Sequence, residues 1–168
     1  MSLAVAIVGA VVAALLETSV APYLQVGVFT PDLVLITATV CTVTVNAEAG
    51  FVWAVVGGLM LDMVTAPARP IGGTILALLA CVGLAALAAR FVGRNPVLTA
   101  VVAVFLLTFV YRLVLAVILS ATVGGISISD PLHTLLPVAI ENTVIAIPLA
   151  LAFRWTWLRF GVHDRIEW

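Results

Sequence analysis

The sequence predicts an all-α polytopic membrane protein: one transmembrane domain over residues 1–168, with six membrane-spanning helices. Three observations carry that prediction. The 168 residues are 64% hydrophobic and 9% charged, with a mean hydropathy of +1.32, whereas about a quarter of the residues of a soluble domain are charged. The apolar residues gather into six runs close to the roughly 17 to 25 residues that a hydrocarbon core of about 30 Å demands. The runs are also continuously apolar, unlike the alternating segments of about ten residues from which membrane barrels are made.

The first run covers residues 3–20. "MSLAVAIVGAVVAALLE" lacks a basic leader, and Pro22 follows the one Ala-x-Ala-like site, "SVAP", where it hinders cleavage, so the run is expected to be a retained span. The second, 31–47, is entered through Pro31 and Asp32. The third, 49–64, follows after only "NAEA", which makes the two a tight helical hairpin. The fourth, 71–92, opens on a glycine pair, and the fifth, 97–121, follows "RNP". The sixth, 131–153, comes after the polar stretch "GGISISDPLHTLLP", where Asp130 is expected to cap the helix. No loop exceeds about a dozen residues, and no repeat of about 20 to 50 residues announces stacked units.

Arginine placement sets the expected orientation. Arg90 and Arg94 follow the fourth span and Arg154, Arg159 and Arg165 the sixth, against Arg69 alone in an odd-numbered loop. The positive-inside rule then puts both termini in the cytoplasm, with Trp155, Trp157 and Phe160 in the inner interfacial belt and Trp168 beyond it.

Several function classes drop out. There is no Lys, and seven Arg form no basic stripe for a nucleic acid backbone. Cys41 and Cys81 lie within apolar runs without His or carboxylate at ligand spacing, so they are expected to be packing residues, with no metal or cofactor. His133 and His163 fall on opposite sides of the membrane, and Ser120, Ser127 and Ser129 lack any nucleophile context. No catalytic set results.

Four charges lie inside the spans away from the ends marked by Asp32 and Arg90: Glu17, Asp62, Arg112 and Glu141. At 1.5 Å per residue, Glu17, Asp62 and Arg112 stand roughly 20 to 22 Å up from the inner ends of their helices, nearly in one layer, and Glu141 lies at about 15 Å from the outer end. Such groups cost on the order of 3 kcal/mol at the bilayer centre and therefore turn toward protein. Arg112 is expected to pair with Glu141, since spans five and six are joined by a short loop. Small residues accompany the carboxylates: Gly50, Ala54, Gly58 and Asp62 recur every four residues on the third span, and Ala6, Ala10 and Ala13 lead to Glu17 on the first. Thr108, Arg112, Ala116 and Ser120 form a comparable ribbon on the fifth. Such ribbons let backbones approach closely, which drives helix association in lipid. Pro137 and Pro148 bracket Glu141 and free carbonyls for other partners.

Two stretches, "APYLQVGVFTPDLVLI" (21–36) and "AGFVWAVVGGLMLDMVTAPARPIGGTILALLA" (49–80), resemble the rod shape-determining MreD family. The shared marks are the Pro-Asp entry to the second helix (Pro31, Asp32), a glycine-punctuated third helix closing in Gly-Leu-x-x-Asp (Gly58, Leu59, Asp62), and a glycine opening the fourth (Gly72 or Gly73). The resemblance implies a non-catalytic, multi-pass scaffold of the bacterial inner membrane that serves lateral peptidoglycan synthesis. It would bind a single-span MreC-like partner, and through it RodA, the elongation transpeptidase and MreB filaments. It also implies a fold like that of the substrate-binding subunits of energy-coupling-factor vitamin transporters. Two expectations follow for the polar residues. In the scaffold, a groove that includes Gly50, Ala54, Gly58 and Asp62 receives the partner's helix. In the alternative, a transporter subunit, Glu17, Asp62 and Arg112 surround an outward-facing cavity.

Overall fold

The computed structural model describes residues 3–24, 30–65, 71–92, 95–122 and 131–160. Among them every element is helical: α1 (Leu3–Ser19), α2 (Ala21–Leu24), α3 (Leu33–Thr44), α4 (Ala47–Thr65), α5 (Gly73–Val92), α6 (Pro96–Thr122) and α7 (Pro131–Phe160). Four stretches, Ala47–Thr65, Gly73–Phe91, Pro96–Thr122 and Leu135–Thr156, are long and apolar enough to cross a membrane, while α1 and α3 are shorter apolar helices. The expected Asp130 cap lies outside the described residues, as do Arg69, Arg94, Ser127, Ser129, His163, Arg165 and Trp168.

The shortest of the six main helices forms the centre. α3 packs against α1, α4, α5, α6 and α7, and all nine residues from Val34 to Thr42 are buried. Its sequence, "LVLITATVCTVT", is apolar or small on every side, the mark of a helix surrounded by protein rather than facing solvent or lipid on one side. Its residues link two apolar clusters. Val34, Leu35, Ala38 and Cys41 join the side built with α1, α4, α5 and α6. Ile36 and Val40 join Ala100, Val104, Ala146 and Ala150 of α6 and α7. Cys41 and Cys81 are buried free thiols, and Cys81 donates to the Leu107 carbonyl over 3.6 Å.

Small residues set the helix spacing. On α1, Ala6, Ala10, Ala13 and Ala14 are buried while Leu3, Val5, Val8, Val12 and Leu15 stay exposed. The alanine ribbon is therefore an internal contact, and the helix that α1 packs most extensively against is α4. At Gly9 a Cβ would come within 2.6 Å of the Trp53 ring. Trp53 also meets Phe153 of α7 edge-on, with centroids 6.1 Å apart, so one aromatic side chain on α4 joins the first and last helices of the bundle.

Element boundaries differ from the hydropathy reading for local reasons. The second span was expected over 31–47, but α3 closes at Thr44, where the Val45 N–H bonds the Cys41 carbonyl. Asn46 then starts the next helix: its side chain accepts from the Ala49 N–H at 2.8 Å, which is ordinary N-cap geometry. α4 consequently begins at Ala47 rather than Ala49. At the other end of the chain, α7 continues past the expected limit of 153 to Phe160. Hydropathy marks where lipid ends, not where a helix must stop, and the last turns of α7 carry Arg154, Trp155 and Arg159. The Arg159 guanidinium stacks 5.0 Å over the Trp155 ring, a favourable contact at a polar boundary.

Candidate functional site

The polar residues gather where α3 and α5 begin, and three carboxylates there, Glu17, Asp32 and Asp62, are matched to backbone or side-chain donors. Asp62, near the end of α4, has no exposed surface. It accepts the Gly72 N–H at 2.7 Å and the Thr74 N–H at 3.2 Å. The Gly72 carbonyl accepts the Leu76 N–H, so Gly72 is the cap residue of α5 and Asp62 supplies the acceptor that a glycine cap lacks. Gly72 has φ +97°, a left-handed backbone that disfavours any side chain even though the space around it is open.

Glu17 repeats the arrangement at the other entrance. Near the end of α1, it accepts the Val34 N–H at 2.7 Å. Asp32 is the cap residue of α3, since its carbonyl accepts from the Ile36 N–H, and its own side chain makes no capping bond. Val34 and Thr74 thus hold the same place, two residues after the cap, and each is satisfied by a carboxylate near the end of an earlier helix, α1 for Val34 and α4 for Thr74. Negative charge at a helix N-terminus is also favoured by the aligned peptide dipoles. Both acids stabilise a returning helix by binding its first turn.

Asp32 is released from capping to bind across the bundle. The Arg112 Nη2 of α6 donates to both its oxygens, at 2.9 and 2.8 Å. Asn142 of α7, fully buried, completes the knot. Its amide oxygen accepts the Asp32 N–H at 3.0 Å, and its amide nitrogen donates to the Asp32 carboxylate at 3.3 Å and the Thr108 hydroxyl at 3.2 Å. Thr108 in turn donates to the Val104 carbonyl at 2.8 Å. Four groups from two helices and one helix entrance thus share one network. The charge of Glu17 also acts on Arg112.

This corrects the expected pairing of Arg112 with Glu141. Among the described residues the ion pair of Arg112 is with Asp32. Glu141 is half-buried beside Asn142 on α7, and its Oε2 has no hydrogen-bond partner in the protein. Successive helical residues point about 100° apart, so turning Asn142 to the centre turns Glu141 away. Asp32 stands at a helix entrance rather than deep in an apolar run, where hydropathy makes a charge conspicuous. Its signal was a Pro-Asp entrance facing a lone internal arginine; nothing in hydropathy marked Asn142.

The ribbon on α4 is also placed. Gly50, Ala54, Gly58 and Asp62 are all buried. A Cβ at Gly50 would fall on the Thr42 side chain of α3, and one at Gly58 would stand 3.0 Å from the Ile75 Cα of α5. The ribbon closes α4 onto its neighbours within the bundle. On the next residue round the helix, Phe51, Val55, Leu59 and Met63 form the outward stripe and are exposed. Thr108 and Arg112 of the α6 ribbon enter the knot; Ala116 is half-buried and Ser120 is exposed. Among the described residues, no group of three or more His, Cys, Asp and Glu is placed to hold a metal ion.

Comparison with known proteins gives one family. The family model described as rod shape-determining protein MreD matches residues 1–158. No curated protein and no solved structure matches the chain.

Proposed function

The chain belongs to the MreD family of rod shape-determining proteins, and from that premise we propose that it is a non-catalytic scaffold of the cell-elongation machinery. It sits in the bacterial inner membrane with six spans and both termini in the cytoplasm, and it holds a single-span MreC-like partner. Through that partner it connects to RodA, the elongation transpeptidase and MreB.

The observation that carries this reading is how the internal polar groups are used. Glu17, Asp62 and Arg112, which would line the cavity of a transporter subunit, instead bind helix N-termini and Asp32. Groups committed to fixing helix positions make a rigid platform, and rigid surfaces bind partners with less ordering cost. Because the Gly50–Ala54–Gly58–Asp62 ribbon is internal, its role is to fix α4. The partner helix meets the outward stripe of the same helix, Phe51, Val55, Leu59 and Met63.

Co-purification from native membranes tests this. Tagged protein should bring down one single-span wall-synthesis protein. Val55→Trp or Leu59→Trp, which alter only the outward stripe, should weaken that association and rod shape while the bundle stays monodisperse. Undiminished capture and normal rods with both variants would remove the stripe as the docking face. A stoichiometric small molecule extracted from the purified protein, with no partner captured, would favour transport instead.

A further inference from the structure

A groove of about 490 Å³ lies between the start of α6 and the end of α7, lined by Asn95, Val97, Leu98, Val101, Ile147, Leu151 and Arg154. Its size falls in the range of about 300–1,000 Å³ usual for small-molecule sites. Its two ends differ in chemistry. At one end stand Asn95, the half-buried Arg154 and the first turn of α6, where Pro96 has no N–H and those of Val97 and Leu98 have no acceptor within the helix and carry partial positive charge. The other end is wholly aliphatic. The two helices run antiparallel here, since Asn95 lies beside Arg154 and Val101 shares the groove with Ile147 and Leu151. From the polar end the lining reaches six or seven residues along each helix, roughly 10 Å.

Arg154 and Trp155 mark the level of a membrane interface, where arginine and tryptophan gather. From that level the groove descends into the apolar layer. Arg154 has no carboxylate partner among the described residues, whereas Arg112 is ion-paired with Asp32 and Arg159 lies on Trp155. We propose that this groove binds one phospholipid with an anionic headgroup. The phosphate sits against Arg154, Asn95 and the α6 N-terminus, and one acyl chain lies along Val97, Val101, Ile147 and Leu151. The charge at the mouth complements the headgroup, and the aliphatic floor at the right depth takes the chain. The site is separate from the polar knot and from the outward stripe of α4, so it stands or falls independently of partner binding.

The full-length chain, reconstituted in vesicles of equal parts phosphatidylglycerol and phosphatidylcholine and released in mild detergent, is read by native mass spectrometry for retained lipid. Phosphatidylglycerol should be enriched over phosphatidylcholine. Arg154→Gln should cut that enrichment about fivefold, the effect of one interfacial cation, and Arg154→Lys should restore most of it. Val101→Trp, which fills the aliphatic floor, should lower retention of both lipids. Arg159→Gln, outside the groove, should change nothing. Equal retention of the two lipids by the unaltered chain, undiminished enrichment in Arg154→Gln, or an equal fall with Arg159→Gln would each overturn the assignment. If Val101→Trp loses its monodisperse profile, the Arg154→Gln and Arg154→Lys pair decides the matter alone.

Discussion

Replacing Asp62 by leucine isolates what a fully buried carboxylate contributes. Leucine has the same branching, a larger volume and no acceptor, so the N–H groups of buried Thr74 and half-buried Gly72, now bonded at 3.2 and 2.7 Å, lose their partner. The unsatisfied buried donor costs about 1–3 kcal/mol and the half-buried one less, and the extra volume adds about 1–3 kcal/mol, so Asp62→Leu should destabilise by roughly 4 kcal/mol. Asparagine keeps one acceptor oxygen and turns its amide toward the other donor, so Asp62→Asn should lose about half as much. At about 2–4 °C per kcal/mol for a chain of this length, the leucine variant should melt roughly 8–16 °C below the unaltered protein, with the asparagine variant between them. The assay is a thermal series in detergent, read as monodisperse protein remaining after each temperature. Because such unfolding is irreversible, the order of the variants is the measured quantity. The opposing effect is the cost of burying a charge, which in some proteins exceeds the gain from its partners. If Asp62→Leu melted at or above the unaltered protein, desolvation would dominate and Asp62 would not be holding α5 in place.

Two neighbouring residues of α7 should separate cleanly. Asn142→Ala removes three hydrogen bonds to Asp32 and Thr108 and should cost about 2–4 kcal/mol, whereas Glu141→Gln touches an oxygen without a protein partner and should leave the melting temperature within a degree or two; the same thermal series checks both. The glycines give a second contrast. Gly58→Ala pushes a methyl to within 3.0 Å of the Ile75 backbone and should cost about 1–3 kcal/mol, while Gly83→Ala, with no atom within 4 Å of the new Cβ, should be neutral or slightly stabilising because alanine is the better helix former. Equal melting of those two variants would mean that the α4–α5 spacing is not set by Gly58.

Apolar run length and punctuation were enough to read the membrane class and the six main helices, because both follow from local composition. The short turn α2 was missed because four residues carry no period. The start of α4 was missed because Asn46 acts through its side chain rather than through hydropathy. Of the candidate site residues, Glu17, Asp62 and Arg112 stood out as charges deep in apolar runs, and all three have protein partners. What could not be read was which partners, since Val34, Gly72 and Thr74 engage through backbone N–H groups that every sequence position possesses. Asn142 escaped notice beside the more conspicuous Glu141. Periodicity alone does not say whether the neighbour of a small-residue ribbon is another helix of the same chain or a partner; Ala6, Ala10 and Gly58 are buried within this chain.

The central claim is that the internal charges hold the bundle's own helices together, and the Asp32–Arg112 contact is its sharpest expression. A double-mutant cycle with Asp32→Asn, Arg112→Gln and the combination measures it directly, by reversible denaturant unfolding in detergent micelles, together with rod shape in cells carrying each variant. Arg112→Gln should cost about 3–5 kcal/mol by leaving the buried Asp32 uncompensated, and Asp32→Asn less, because the Arg112 side chain is 27% exposed. The double variant should be clearly less damaged than the two losses added together. Strict additivity, within about 0.5 kcal/mol, would show that the two side chains do not depend on one another and would contradict the account.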